Sequence, residues 1–441
     1  MTDRQAEIIE LIHKEVKPAL GCTEPVAVAL AAAKAVELLG EKAHTDENLA
    51  GGQENASMEI RVEVSGNILK NGMGVGIPGT GMIGLKIAAA LGAVCGKSSY
   101  GLEVLKDLDD KAVAKAQNLT KSGLVSISLA SGCHKLYVKV TVSSGRHSAF
   151  AIIEDVHDRI VATGVDEQIW DSRSSKDGEC SAPVKDTLDY NLTVKEIFEF
   201  SETVDYEDIK FILDDKKYNL ALAEEGLSGN YGLNVGKSIL ADKENMFGDD
   251  FLSYAMALTA AASDARMAGC TLPAMSNSGS GNQGITVSMP VIAYALKHNI
   301  SDERLARALI MSNLVAIHIK GYLGRLSALC GCVIASTGAS CGLVWLKGGN
   351  YEQVCAAIKN MIGNITGMVC DGAKVGCAMK VASGVSSSVQ SAMLALNNIS
   401  VCETDGIIDK DIEKTIANLG NLGSSGMEVT DTLIQKIMVC K

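Results

Sequence analysis

The chain has 441 residues, 47% of them hydrophobic and 21% charged, with a net charge of −12. Such a composition supports a large core and excludes a disordered chain. The acidic balance excludes a general nucleic-acid binder and a protein docked on an anionic membrane.

The first elements are helical. Met1–Lys17 carries seven charged residues and no apolar run of the secretory kind, so the 13 cysteines are expected to be reduced, metal-bound or catalytic in a cytoplasmic setting. Thr2 and Gln5 have capping-box spacing ahead of the apolar stripe Ile8, Ile9, Leu11, Ile12 and Val16. Pro18 to Pro25 interrupts the pattern, and an Ala-rich helix then runs from Val26 to a predicted stop at Gly40.

The period changes next. Met58, Ile60, Val62 and Val64 alternate with charged residues, as Leu136, Val138, Val140 and Val142 alternate with Tyr137, Lys139 and Thr141. Both read as half-buried strands. Leu124–Leu129 and Ala149–Ile153 are candidate partners, with helices over Met82–Val94 and Asp109–Lys121 between them. The polar stretch Asp171–Asp189 reads as a linker. From about 193 the period is helical throughout, most clearly over Asp249–Met267, Gly284–His298, Asp302–His318, Tyr351–Ile362 and Val385–Asn398. Leu326–Leu346 is uncharged but carries four Ser/Thr, three Gly and three Cys. It is expected to be a buried helix pair rather than a membrane span. The expected class is α+β: N-terminal helices (1–50) packing on a helical catalytic domain (191–441), with a mixed α/β domain (51–190) inserted between them.

Four segments can carry chemistry. Cys22, in Gly-Cys-Thr-Glu-Pro, opens a helix, where the dipole favours a thiolate able to act as base or nucleophile; an incidental cysteine in a helix joint is the alternative. The loop Ser276, Asn277, Ser278, Gly279, Ser280, Gly281, Asn282 sits before a helix, where exposed N–H groups and hydroxyls suit a carboxylate or phosphate. Cys330, Cys332, Cys341, Cys355, Cys370 and Cys377 lie within 48 residues but in no zinc-knuckle or ferredoxin spacing. They are either ligands or small buried hydrophobes, with the Cys370–Cys377 loop the stronger case for a ligand pair. Gly74, Gly76, Gly79 and Gly279, Gly281, Gly284 both match G-x-G-x-x-G. Neither has the strand-to-helix context of a dinucleotide site, which leaves small-molecule loops or tight packing turns. His134 and His318 read as solvated or satisfied groups. Asp264 and Arg266 read as an ion pair that could otherwise fix an amino group or carboxylate.

Taken together, Gly-Cys22-Thr-Glu-Pro, Asn71-Gly-Met-Gly-Val-Gly-Ile-Pro-Gly-Thr, Ala262-Ser-Asp-Ala-Arg-Met, Met275-Ser-Asn-Ser-Gly-Ser-Gly-Asn-Gln-Gly, Arg325-Leu-Ser-Ala-Leu-Cys330 and Cys370-Asp-Gly-Ala…Cys377-Ala-Met-Lys resemble the L-cysteine desulfidase family. That group is related to the α chain of iron–sulfur L-serine dehydratases. The resemblance implies a 4Fe-4S cluster on Cys330, Cys370 and Cys377, with Cys22 as general base and no pyridoxal phosphate. It implies elimination of L-cysteine to pyruvate, ammonia and sulfide. L-serine dehydration, a pyridoxal-phosphate lyase and a non-catalytic metal or redox sensor are the competing readings. The expected partner is a small amino-acid substrate, with neither nucleic acid nor membrane, and the Ala/Gly-rich helical surface would make a homodimer unsurprising.

Overall fold

The computed structural model describes residues 2–45, 58–166, 168–171, 190–242, 244–324 and 327–440. The first elements are α1 (Asp3–Glu15), β1 (Val16–Ala19), α2 (Thr23–Thr45), β2 (Glu59–Val64), α3 (Gly66–Gly72), α4 (Leu85–Cys95) and α5 (Asp110–Lys121). Strands β3 (Val125–Leu129), β4 (Tyr137–Ser144), β5 (His147–Glu154), β6 (Ile160–Val165) and β7 (Gln168–Asp171) follow. Next come α6 (Val194–Thr203), α7 (Tyr206–Ile209), α8 (Asp214–Ser228), α9 (Val235–Leu240), α10 (Phe251–Met267), β8 (Ala274–Asn277), α11 (Gly281–His298) and α12 (Asp302–Leu323). The chain ends with α13 (Gly331–Leu346), α14 (Tyr351–Ile365), α15 (Cys377–Leu396), α16 (Ile412–Gly423) and α17 (Glu428–Val439). The class is α+β. Past Asp171, the stretch read as a linker lies outside the described residues.

The alternating segments become strands because one face of each is apolar. Ile60, Val62 and Val64 of β2 are buried, as are Val138, Val140 and Val142 of β4. Val62 pairs with Val140 on one side and, in parallel, with Ile127 of β3 on the other. The six strands run β3-β2-β4-β5-β6-β7, all antiparallel except β2 with β3. Helix α2 fills the space between this sheet and α4 and is buried on nearly every side from Val26 to Ala33. It also runs through Gly40 to Thr45, past the predicted stop. A lone glycine costs a helix only about 1 kcal/mol and does not by itself end one.

The second core is helical. Its centre is α13, touched by α11, α12, α14 and α15 and buried from Cys332 to Leu346. That position explains the uncharged run, which forms one helix rather than a pair. Among the described residues no helix is long and apolar enough to cross a membrane. Helix α1 buries Ile8 and Ile12 in this core, and its predicted capping box forms, Gln5 N donating to Thr2 Oγ1 at 3.2 Å. Helix α2, in contrast, buries its residues with the sheet. The two cores are tied by a short antiparallel ribbon in which Val16–Ala19 pairs with Ala274–Asn277.

Candidate active site

The ribbon brings the start of α2 against the loop before α11. Cys22, at that start, is 6% exposed and donates its Sγ–H to Glu24 Oε2 at 3.2 Å. Asn71 Nδ2 donates to the other oxygen, Glu24 Oε1, at 3.1 Å, and Thr23 Oγ1 donates to Gly279 O at 3.0 Å. Burial, and then the Glu24 charge, push the Cys22 thiol well above its ordinary range against the pull of Arg266. The thiolate expected from the helix dipole is therefore not the resting form. Glu24 behaves oppositely: burial opposes its charge, yet His157, the Cys22 hydrogen bond and Arg266 hold its carboxyl below the ordinary value. A protonated thiol thus donates to a carboxylate.

Arg266, near the end of α10, is buried. Its Nη2 donates to Gly21 O at 2.9 Å and its Nη1 to Asn282 Oδ1 at 3.3 Å. The ion pair read between Arg266 and Asp264 does not form; Asp264 Oδ2 accepts from the Gly236 N–H at 3.1 Å. Arg266 Nε has no hydrogen-bond partner, nor does the buried Gln283 Oε1. Such groups cost free energy unless a ligand satisfies them.

The structure divides the predicted anion loop. Ser280, Asn282 and also Gln283 line a cavity of about 120 Å³. Ser276, Asn277, Ser278 and Gly279 support them from behind: Ser276 Oγ donates to Lys17 O at 2.6 Å, and Ser278 N to Glu15 O at 2.8 Å. Asn277 is fully buried, accepting at Oδ1 from Ser278 Oγ and Gln283 Nε2, both at 2.8 Å. Its amide donates to Asn313 Oδ1 at 2.8 Å, and Asn313 in turn donates to Asp215 Oδ2 at 2.8 Å. Gly281 makes room for Arg266, since a Cβ there would fall 2.2 Å from Nε. The Gly74–Gly79 motif is a packing turn. Gly76 N bonds Met267 O at 2.9 Å and Gly79 N bonds Gly269 O at 3.3 Å, docking that loop on the end of α10.

The rest of the lining is sulfur-rich. Cys330 precedes α13, and an isolated bridge between Leu329 and Val369 sets Cys370 beside it. Cys370 N donates to Ala328 O at 2.6 Å and Cys330 N to Met368 O at 3.0 Å. Cys377 opens α15. All three thiols line the cavity with Cys332 and Lys380, whereas Cys341 and Cys355 do not. The Cys330 thiol is raised by burial and then by Cys332, Cys370 and Cys377. Lys380 and Lys374 both pair with Asp371. Although burial opposes its charge, the two lysines bring the Asp371 carboxyl down to about 2.

Among the described residues no three His, Cys, Asp or Glu side chains converge tightly enough to hold a single metal ion. An iron–sulfur cluster spreads its thiolates over separate iron corners, so its donors stand further apart than those around one ion. The donor set suits such a cluster. It comprises three thiols from separated segments, two of them at helix starts whose dipoles favour thiolate, with a lysine beside them.

Residues 99–436 match the family described as serine dehydratase alpha chain. The chain belongs to that family. Its relatives include a UPF0597 protein of Oleidesulfovibrio alaskensis, 50% identical over 98% of this chain and 97% of its own. Another from Bacteroides fragilis is 47% identical over 99% and 98%, and one from Porphyromonas gingivalis is 45% identical over 100% and 99%. The serine dehydratase alpha chain family is one of dehydratase-like lyases associated with iron–sulfur chemistry. Its match takes in Arg266, the anion loop and all the cavity cysteines except Cys22. Cys332 was one of the six candidate cysteines and Gln283 closed the anion loop, whereas Glu24, Asn71 and Lys380 stood inside the motifs without a role of their own.

Proposed function

We propose that the protein is an L-cysteine desulfidase, a carbon–sulfur lyase releasing pyruvate, ammonia and sulfide, working in the cytoplasm. One observation carries the reading. A thiol–carboxylate pair, an arginine with an unused N–H and three thiols from separate segments meet in one small cavity.

The lining of the cavity is part polar and part sulfur-rich. Arg266 Nε, the Asn282 side chain and the N-terminus of α11 bind the substrate carboxylate, and Gln283 Oε1 accepts from its ammonium. The sulfur-rich part, with four thiols and Val381, offers a thiol side chain a better fit than a hydroxyl. Cys22 takes the α-proton in its thiolate form, and the S–H so formed donates to the Glu24 carboxylate, as it does in the resting site. The freed electron pair becomes the Cα–Cβ double bond as the β-substituent departs with its own pair. A positioned base of this kind contributes roughly 10²–10⁴-fold. A cluster on Cys330, Cys370 and Cys377 would supply Lewis-acid stabilisation of the departing sulfur. Aminoacrylate then becomes the imine, which water hydrolyses to pyruvate and ammonia. The family description favours a second reading, L-serine dehydration, by the same residues.

Anaerobic reconstitution with iron and sulfide, followed by assays on both amino acids, tests this. Sulfide and pyruvate from L-cysteine, lost in Cys370→Ala with its cluster and in Cys22→Ala without loss of the cluster, are expected. Pyruvate from L-serine alone would transfer the assignment to the dehydratase. A stable cluster with no turnover of either would refute both.

A further inference from the structure

The last helix does not help build either core: among the described residues, none of the buried core comes from α17. Its contacts are nonetheless specific. Lys70 of α3, its side chain only 1% exposed, pairs with Asp431 of α17 at 2.5 Å. Asp431 Oδ2 also accepts from Gln435 Nε2 at 3.0 Å, and Gln435 reaches Asn67 Oδ1 at 3.2 Å. The two helices do not pack flush. A mostly apolar cavity of about 300 Å³ remains between them, lined by Leu69, Met73, Thr432 and Met438.

What α17 holds is more telling than how it holds it. Lys70 O lies where a Cβ on Gly372 would be only 2.2 Å away, and Gly372, at φ +91°, sits inside the Cys370–Cys377 loop with Met438 beside it. The next residue, Asn71, fixes Glu24 at 3.1 Å. One turn of α3 therefore touches the thiol-bearing loop through its backbone and the acid–base pair through a side chain, while a buried lysine anchors that turn to α17. A lysine buried to this degree requires its carboxylate partner; removing the partner leaves an uncompensated charge that must move toward water.

We infer that α17 is a strap, and that Lys70 and Asp431 are positioning residues which set the Cys22–Glu24 pair against the Cys370–Cys377 loop. This rests on the reading of that pair as the proton-handling groups. Loss of the ion pair lets α3 shift, frees Glu24 from Asn71 and opens Cys22, with the cores intact.

The test uses anaerobically reconstituted protein in wild-type, Asp431→Asn and Leu433→Pro forms. The second variant breaks α17 from its exposed side without removing any contact residue. Cys22 alkylation by iodoacetamide is followed by peptide mass, with buried Cys341 and exposed Cys402 as references, alongside kcat and KM for L-cysteine. In both variants we expect Cys22 alkylation to accelerate at least tenfold. We expect kcat to fall at least tenfold with KM within twofold, and Tm to stay within a few degrees. Faster Cys22 alkylation in protein whose wild type turns over neither amino acid would support the strap and refute the lyase reading separately. Folded variants with wild-type alkylation and kcat would overturn the strap. So would failure of both variants to fold, which would make α17 part of the fold.

Discussion

Asp215 lies behind the active-site loop, fully buried at the start of α8, with Asn313 Nδ2 donating to it at 2.8 Å. Burial pushes its carboxyl from 3.8 up to about 7. The folded protein therefore binds this proton more tightly than the unfolded chain. Its contribution to stability is whole below about pH 4 and is lost as pH rises toward 7. About three units at 1.36 kcal/mol each come to about 4 kcal/mol. Asp215→Asn keeps an oxygen for Asn313 and stays neutral, but buries an extra N–H₂ at a cost of about 1–3 kcal/mol. The variant should be less stable than wild type at pH 4.5, and more stable at pH 8 by about 1–3 kcal/mol. Urea unfolding of both proteins at half-unit pH steps reads the difference, in which all other titrations cancel. Parallel stability curves for the two proteins would refute the reasoning.

Two substitutions test close approaches. Gly281→Ala places a Cβ 2.2 Å from Arg266 Nε, forcing the guanidinium off Gly21 O and Asn282. KM for L-cysteine should rise at least tenfold with little change in Tm, as read by steady-state kinetics and calorimetry; an unchanged KM would remove Arg266 from substrate binding. Gly92→Ala drives a Cβ to 2.1 Å from Ala29 O, where α4 crosses α2. Neither backbone can yield easily, so a loss of about 1–3 kcal/mol is expected in urea unfolding, with the helical core unaffected.

Much of this architecture was legible because local pattern and tertiary demand agreed. The alternation at 58–64 and 136–142 became β2 and β4, and Asp109 caps α5 through Ala112 N at 2.7 Å. His318 is the satisfied core group it was read as, bonded to Glu413 at 2.6 Å. Helix α15 was seen too late. It begins at Cys377, eight residues before the predicted start at Val385, because Met379 and Lys380 blur the apolar period. The ribbon of β1 and β8 was invisible: four residues carry too little alternation, and their partners lie far apart in the chain. The candidate site was half legible for the same reason. Cysteines and a Ser/Gly loop stand out by type, but Asn71 and Gln283 act only through neighbours that the fold supplies. The Cys22 thiol illustrates the limit, since the helix dipole and the nearby Glu24 could be read locally whereas its burial could not.

The same ribbon dictates when the cavity can exist. Lys17 faces Ser276 across it, and the far wall waits for Cys370 and Cys377. A chain emerging from the ribosome cannot close the cavity until nearly all of it has been made, and closing so wide a loop is slow compared with forming the local helices. Until then the thiols that line the cavity stay open to oxidation. A fragment ending before α15 would lack Cys377 and with it part of the cavity lining.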